Sequence, residues 1–202
     1  MRIVLLGAPG SGKGTQAKLL AERYRVPHIS SGALLREAVA AGTATGKKAR
    51  KNMFAGELVS DSLVLEFVRE RVSRKDARRG VILDGFPRNI PQAQELDGLL
   101  GMRGQPVQIA LLIETDEQNL LKRITGRRIC MKCGAIYNIH FAPPAKEGVC
   151  DACRGKLTTR SDDKEATLRN RLQVYREHTA PLMTYYRAQH KLRTVRASGE
   201  IP

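Results

Sequence analysis

The sequence predicts an α/β fold built around a five-stranded parallel sheet flanked by helices. Short apolar segments alternate with segments of helical periodicity through most of the chain, a pattern typical of parallel sheets covered on both faces. The first apolar segment runs directly into a glycine-rich loop that precedes a helix. With 202 residues, 42% of them hydrophobic, the chain is long enough to form one domain with a buried hydrophobic core. We expect this core domain to carry small inserted lobes.

Five short apolar segments are the expected strands of the sheet. The helices between them include Ser62 to Arg74, where Leu63, Phe67 and Val68 share a face, and Asp116 to Ile124, which opens with two acidic residues. The strands are expected near Ile3 to Leu6, His28 to Ile29, Val81 to Leu83, Val107 to Ile113, and Leu192 to Val195.

The loop after the first strand has the composition of a phosphate-binding loop. Residues 7 to 15 read GAPGSGKGT, so that backbone N–H groups and a helix N-terminus can surround phosphate oxygens while Lys13 reaches the outer phosphates. A glycine-rich turn that binds nothing is the alternative, but the apolar strand before it and the helical segment Gln16 to Tyr24 after it favour phosphate binding. One position departs from the pattern: Gly14 takes the usual Ser/Thr place, and Thr15 follows one residue late.

A carboxylate ends the third expected strand. Asp84 follows Val81 to Leu83 directly and precedes Gly85-Phe86-Pro87-Arg88. A strand-end aspartate can simply cap the next turn. In a chain that also has a phosphate loop, the position favours an acid that holds Mg²⁺ or its water shell near the phosphates.

Two segments interrupt the alternation of strands and helices, and we interpret each as a lobe inserted in the core. The first comprises residues 30 to 59, where Ser30-Ser31-Gly32 can cap a helix beginning near Ala33 and three glycines are expected to separate short helices: Gly42, Gly46 and Gly56. The second comprises residues 126 to 163. The core is then formed by residues 1 to 29, 60 to 125 and 164 to 202.

All four cysteines lie in the second inserted segment. They form two C-x2-C pairs, Cys130 with Cys133 and Cys150 with Cys153, with sixteen residues between the pairs. This spacing matches a four-thiolate zinc site. Disulfides, free thiols and iron are the alternatives, but zinc fits the spacing and a reducing compartment best. Since four thiolates leave no open coordination position, the metal is expected to be structural and to help fold a lobe with few large apolar side chains.

The net charge of +15 predicts anionic partners. Aromatic residues make up only 4% of the chain and tryptophan is absent, which favours small polyphosphates over nucleic acid because single-strand binders rely on stacking surfaces. No run approaches the roughly eighteen apolar residues of a membrane span, and no segment resembles a signal peptide. We therefore expect a cytoplasmic protein.

Arginines occur at positions suited to phosphoryl transfer, in which catalysis is mostly positioning and electrostatic stabilisation. Arg123 and Arg127 lead into the cysteine segment and Arg160 leads out of it, so closure of this lobe can carry guanidinium groups onto phosphates. The full set is Arg36, Arg88, Arg123, Arg127, Arg160 and Arg171.

Taken together, the motifs resemble those of the adenylate kinase family, and more narrowly of its bacterial long-lid type with a zinc-bearing lid. The resemblance runs from Met1 to about Pro202, beyond which relatives continue into a final helix, and it rests on GAPGSGKGTQ at 7 to 16, ISSG at 29 to 32 with Arg36, DGFPR at 84 to 88, GRR at 126 to 128, and RSDD at 160 to 163. It implies a P-loop kinase core, an AMP-binding lobe at 30 to 59, and a lid at 126 to 163 that close over the substrates. The implied reaction is reversible phosphoryl transfer from MgATP to AMP, giving two ADP, in a monomer with structural Zn²⁺.

The resemblance also implies residue roles. Catalytic roles fall to Lys13, Asp84, Arg88, Arg123, Arg160 and Arg171. Contacts to ATP fall to Gly10, Ser11, Gly12, Lys13, Gly14, Thr15, Arg127, Ile136, Tyr137 and Ile201. Contacts to AMP fall to Ser31, Arg36, Glu57, Leu58, Val59, Gly85, Phe86, Pro87, Arg88, Gln92, Arg160 and Arg171.

Two other functions compete with this interpretation. A kinase for CMP, UMP or GMP would share the same motifs, although the long lid and Gln92 favour adenine. A zinc-ribbon nucleic-acid-binding protein with a regulatory P-loop would account for the charge and the cysteines, but it would leave the DGFPR segment unexplained. We therefore expect no specific nucleic-acid partner and no membrane partner.

Overall fold

The computed structural model describes residues 1–197, and a five-stranded parallel sheet forms its centre, which confirms the predicted fold class. The strand order is β2-β3-β1-β4-β8. Numbered along the chain, these strands are β1 (Arg2–Leu6), β2 (His28–Ser30), β3 (Val81–Asp84), β4 (Ile109–Glu114) and β8 (Leu192–Arg196). All five lie where the sequence predicts a strand, although Val107 precedes β4 rather than opening it.

Eight α-helices are described in the same part of the chain. A 3₁₀ turn at Lys75–Arg78 follows the fourth helix, and a π-helical turn at Tyr175–Thr179 joins the last two. The helices are α1 (Lys13–Tyr24), α2 (Ser31–Ala40), α3 (Ala44–Ala55), α4 (Asp61–Ser73), α5 (Ile90–Gly101), α6 (Glu117–Thr125), α7 (Glu165–Val174) and α8 (Pro181–Ala188).

Helices bury both faces of the sheet, as the alternation of side chains along β1 shows. Val4 and Leu6 belong to a core shared with α4, α5 and α8. Ile3 and Leu5 point the other way and pack with Ala17 of α1. Because successive side chains of a strand alternate between faces, a continuous apolar strand signals burial on both sides. Within residues 1–197, no helix combines the length and apolarity needed to cross a bilayer.

The first inserted segment folds into the helix pair α2 and α3. Gly42 and Gly56 lie at helix ends with φ of 66° and 78°, as expected of glycine helix breakers. The expected break at Gly46 is wrong, because this residue lies inside α3. A Cβ at Gly46 would come within 2.0 Å of the Ala38 carbonyl oxygen, so this glycine permits close packing of α3 on α2.

The second inserted segment contains a small antiparallel sheet that the sequence analysis does not predict. Its strand order is β6-β5-β7, with β5 at Arg127–Cys130, β6 at Ile136–Asn138 and β7 at Leu157–Thr158. The buried hydrophobic cluster of this segment consists of Cys130, Cys150 and Leu157. Two cysteines therefore occupy the positions that large apolar side chains take in an ordinary core.

Candidate active site

The glycine-rich loop joins the carboxyl end of β1 to α1, at the edge of the sheet where ligands bind in open α/β folds. Gly12 precedes α1 with φ of 93°, a left-handed conformation that favours glycine. Lys13 Nζ folds back onto the loop, donating to the carbonyls of Gly7 at 2.7 Å and Ala8 at 2.8 Å. Burial lowers the pKa of Lys13 to about 8, against the opposing effect of Asp84. The charged form of Lys13 is therefore poorly solvated, and a bound anion would stabilise it.

Asp84 ends β3 beside this loop. Its Oδ2 lies 3.4 Å from His28 Nε2 and 3.5 Å from the place that a Cβ on Gly14 would occupy. Burial raises the pKa of the carboxyl, but His28, Lys13 and Arg88 together outweigh burial and hold the pKa below its usual value. The carboxylate is therefore ionised at neutral pH, and it lies directly beside the phosphate loop.

The turn after Asp84 joins the core to the helical pair. The Gly85 carbonyl accepts hydrogen bonds from Ser31 Oγ at 2.6 Å and from Arg88 Nε at 2.8 Å. Gly85 has φ of 73°, and a Cβ there would lie 2.9 Å from Ser31 Oγ. Burial and the neighbouring charge of Arg171 lower the pKa of Arg88 to about 10.

Two adjacent carboxylates at the end of the second inserted segment, Asp162 and Asp163, interact with several of the site arginines. Arg171 Nη2 donates to Asp162 Oδ2 at 2.8 Å, and Arg36 approaches the same oxygen at 3.9 Å. Arg127 Nε donates to Asp163 Oδ2 at 2.7 Å, and its Nη2 donates to the other oxygen of that fully buried carboxylate. The bidentate pair with Asp163 fixes the orientation of the Arg127 guanidinium, and Asp162 draws Arg171 and Arg36 to one side of the cavity.

Two further arginines retain unused hydrogen-bonding capacity. The Nε atoms of Arg123 and Arg160 are buried without a hydrogen-bond partner among the described residues. Burial, together with Arg127 and Arg36, lowers the pKa of Arg160 to about 9. A buried donor without a partner is costly, so these atoms indicate a place where an acceptor-rich ligand belongs.

Most of the expected site residues line one cavity of about 1180 Å³. A second cavity of about 30 Å³ adjoins it and shares Arg36, Leu58, Arg88 and Arg171. The large cavity is lined by the expected residues Gly10, Gly12, Lys13, Gly14, Thr15, Arg36, Leu58, Asp84, Gly85, Pro87, Arg88, Arg123, Arg127, Ile136, Tyr137, Arg160 and Arg171. The small cavity adds Ser31, Glu57, Val59 and Gln92.

Two expected site residues among those the structure describes line neither cavity. Phe86 is 1% exposed and belongs to the main core, and Ser11, within the phosphate loop, is 1% exposed. Ile201 lies outside the described residues. The roles of four charged or titratable residues, His28, Asp61, Asp162 and Asp163, were not predicted from the sequence, although both Asp162 and Asp163 belong to the RSDD motif.

The four cysteine sulfurs meet at one point, where each Sγ lies within 4.8 Å of every other. The Sγ atoms of Cys130 and Cys153 are 3.4 Å apart, and those of Cys133 and Cys150 are 3.6 Å apart. A tetrahedral zinc with Zn–S bonds of about 2.3 Å separates its sulfurs by about 3.8 Å, so the cluster fits zinc with little adjustment. None of the four forms a disulfide.

Comparisons with known proteins agree with this geometry. A family model described as adenylate kinase matches residues 5–191. The adenylate kinase of Thermodesulfovibrio yellowstonii is 52% identical over 201 residues, covering 100% of this chain and 94% of the relative. That of Nitrosococcus oceani is 53% identical over 202 residues, covering 100% and 93%. That of Methanothrix thermoacetophila is 48% identical over 201 residues, covering 100% and 93%.

Proposed function

The chain belongs to the adenylate kinase family of nucleoside monophosphate kinases, and we propose that it catalyses reversible phosphoryl transfer from MgATP to AMP, giving two ADP. One observation carries the proposal. Of the Lys and Arg side chains that line the large cavity, seven are site residues expected from the sequence, and Asp84 lies beside the phosphate loop among them: Lys13, Arg36, Arg88, Arg123, Arg127, Arg160 and Arg171. Such a concentration of positive charge favours the binding of a polyanion between the cations.

The phosphate loop and the second inserted segment form the proposed ATP side. The loop from Gly10 to Thr15 surrounds the phosphates with backbone N–H groups, and Lys13 exchanges its two carbonyl partners for oxygens of the transferring group. Arg127, Ile136 and Tyr137 approach from the small antiparallel sheet and line the same cavity. Their position supports contacts to the nucleotide outside the loop.

The α2–α3 pair and the turn after β3 form the proposed AMP side. Arg36, Arg88 and Arg171 line both cavities and are placed to bind the AMP phosphate, with Ser31, Leu58, Val59 and Gln92 around the base. The small cavity of about 30 Å³ has room for only one or two waters. We propose that a nucleobase enters it when α2 and α3 move outward as an AMP-binding lobe at 30 to 59.

In the transfer step, an oxygen of the AMP phosphate attacks the γ-phosphorus of ATP. A new P–O bond forms to AMP, while the bond from the γ-phosphorus to the bridging oxygen breaks and its electron pair passes to the β-phosphate. Lys13, Arg123 and Arg160 offset the charge that spreads over the transferring oxygens. The second inserted segment, at 126 to 163, acts as a lid that excludes water as a competing acceptor.

Two metal ions fit the residues present. Asp84 offers an ionised oxygen ligand next to the phosphate loop, and Mg²⁺ prefers few carboxylates together with waters and phosphate oxygens. When bound there, Mg²⁺ neutralises charge on the phosphates. Zn²⁺ fits the four cysteine sulfurs and would hold the lid as one rigid unit.

A coupled assay of ADP formation from ATP and AMP tests the proposal. We expect AMP to be the best acceptor when compared with CMP, UMP and GMP. Lys13→Met should lower kcat by about 10²- to 10³-fold or more, since it removes a charge from the transferring group, whereas Lys48→Met at an exposed position of α3 should not. Equal or faster turnover of CMP or UMP would contradict the base assignment. Tight RNA binding without kinase activity would contradict the proposal as a whole.

A further inference from the structure

The side-chain amide of Gln92 is held at both ends. Gln92 lies in the first turn of α5 and is 1% exposed. Its Nε2 donates to Asp61 Oδ1 at 2.6 Å, and its Oε1 accepts from the Arg88 backbone N–H at 2.8 Å. A carboxylate can only accept and a backbone N–H can only donate. In the flipped orientation, Nε2 would face the Arg88 N–H and Oε1 would face the Asp61 carboxylate, so that donor meets donor and acceptor meets acceptor. The two partners therefore determine which atom of Gln92 is oxygen and which is nitrogen.

Asp61 is itself fixed in position. It opens α4, and both of its carboxylate oxygens accept from Asn89 Nδ2, at 3.1 Å and 3.0 Å. Asn89 in turn caps α5, because its Oδ1 accepts from the Gln92 backbone N–H at 2.9 Å. The carboxylate therefore bridges the first turns of two helices, and among the described residues it is the acidic partner of the Gln92 amide.

Among the described residues, one hydrogen-bond donor and one acceptor of the amide have no partner. An amide nitrogen carries two hydrogens and an amide oxygen two lone pairs, and Asp61 and Arg88 take one of each. Gln92 lines the small cavity together with Ser31, Val59 and Arg88. Adenine presents a 6-amino donor beside the N1 acceptor, whereas hypoxanthine and guanine present a 6-oxo acceptor beside an N1–H donor. An amide of fixed orientation can match only one of these two patterns.

We propose that Asp61 is a positioning residue that selects 6-aminopurine over 6-oxopurine monophosphates by fixing the orientation of the Gln92 amide. This inference rests on the proposed AMP site. Without Asp61, the Arg88 N–H alone holds the amide, the Nε2 end loses its acceptor, and the side chain can present the reversed pattern to a 6-oxopurine.

Steady-state kinetics with AMP and IMP as alternative acceptors test the proposal. For Asp61→Ala, the ratio of kcat/KM for AMP to kcat/KM for IMP should fall about tenfold or more, the effect of one charge-assisted hydrogen bond, while KM for ATP is unchanged. Asp61→Asn retains an oxygen that accepts from Gln92 Nε2, so its ratio should lie closer to the wild type than to Asp61→Ala. Glu165→Ala removes a first-turn carboxylate from α7 without touching Gln92 and should leave the ratio unchanged.

The proposal is overturned if Asp61→Ala lowers kcat/KM for AMP and IMP equally, since a merely structural role predicts that result. It is also overturned if Asp61→Asn loses selectivity to the same extent as Asp61→Ala. Absence of AMP-dependent ADP formation in the wild-type protein would instead refute the proposed function itself, so the two failures are distinguishable.

Discussion

Replacing Gly155 with alanine should displace the ligands of the cysteine cluster. A Cβ at this position would lie 2.9 Å from Cys130 Sγ, 3.3 Å from Cys153 Sγ and 3.0 Å from Lys132 Cβ. Ordinary contacts between such atoms are about 3.5–4.0 Å, so Cys130 Sγ must move by about 0.6 Å or more. Ligand distances in a metal site tolerate about 0.2 Å. The new methyl group therefore cannot be accommodated without moving the cysteine ligands out of their metal-binding geometry.

We expect the zinc affinity of Gly155→Ala to fall by about 10- to 100-fold, the usual cost of disturbing the surroundings of metal ligands. Competition with a chromogenic zinc chelator measures the affinity, and thermal melting with and without chelator shows how much of the loss reaches stability. Gly98→Ala in the interior of α5 is the matched control, because a Cβ there meets no heavy atom within 4 Å. The control should keep full zinc affinity and gain about 0.5–1 kcal/mol of stability. Wild-type zinc affinity in Gly155→Ala would refute the reasoning.

Two other predictions concern pH and the metal. Because the pKa of Lys13 is lowered to about 8 from the ordinary 10.5, kcat/KM for ATP should fall as pH rises above about 8 in a pH–rate profile. Lys13→Arg, if it retains activity, should shift this fall to higher pH. An unshifted fall in that variant would assign the titration to another group. Between pH 8 and 10.5 the unfolded chain binds more protons at Lys13 than the folded chain does, so this residue makes folding more favourable as pH rises through that window. Chelating the zinc should lower the melting temperature while turnover persists below the new midpoint, and immediate complete loss of activity in a still-folded protein would contradict a structural metal.

Local motifs account for the parts of the site that sequence reasoning located. The loop around Lys13, the Asp84 to Arg88 segment and the two cysteine pairs each place their functional groups within a few residues of one another. Their geometry follows from backbone conformation and turn chemistry, which depend on neighbouring residues. The five strands were also predictable, because a strand buried on both faces must be apolar over most of its length.

Pairs that join distant parts of the chain could not be predicted in this way. Asp61 meets Gln92 only because α4 and α5 begin side by side. His28 reaches Asp84 only because β2 pairs with β3 in a register that sets His28 opposite Ile82, two residues before Asp84 and on the same face of the sheet. Gly46 looked like a helix break, but close packing on Ala38 determines its role. Each of these depends on which elements become neighbours.

The sequence by itself therefore determined the fold class, the phosphate loop, the cysteine cluster and the set of cationic residues, because these follow from composition, periodicity and local spacing. The tertiary structure decided which carboxylates hold Arg36, Arg127 and Arg171, which partner orients the Gln92 amide, and where the cations converge on one cavity. The physical reason is that hydrogen bonds and ion pairs act over a few ångströms. The sheet order and helix packing that bring such groups within reach depend on the whole chain at once.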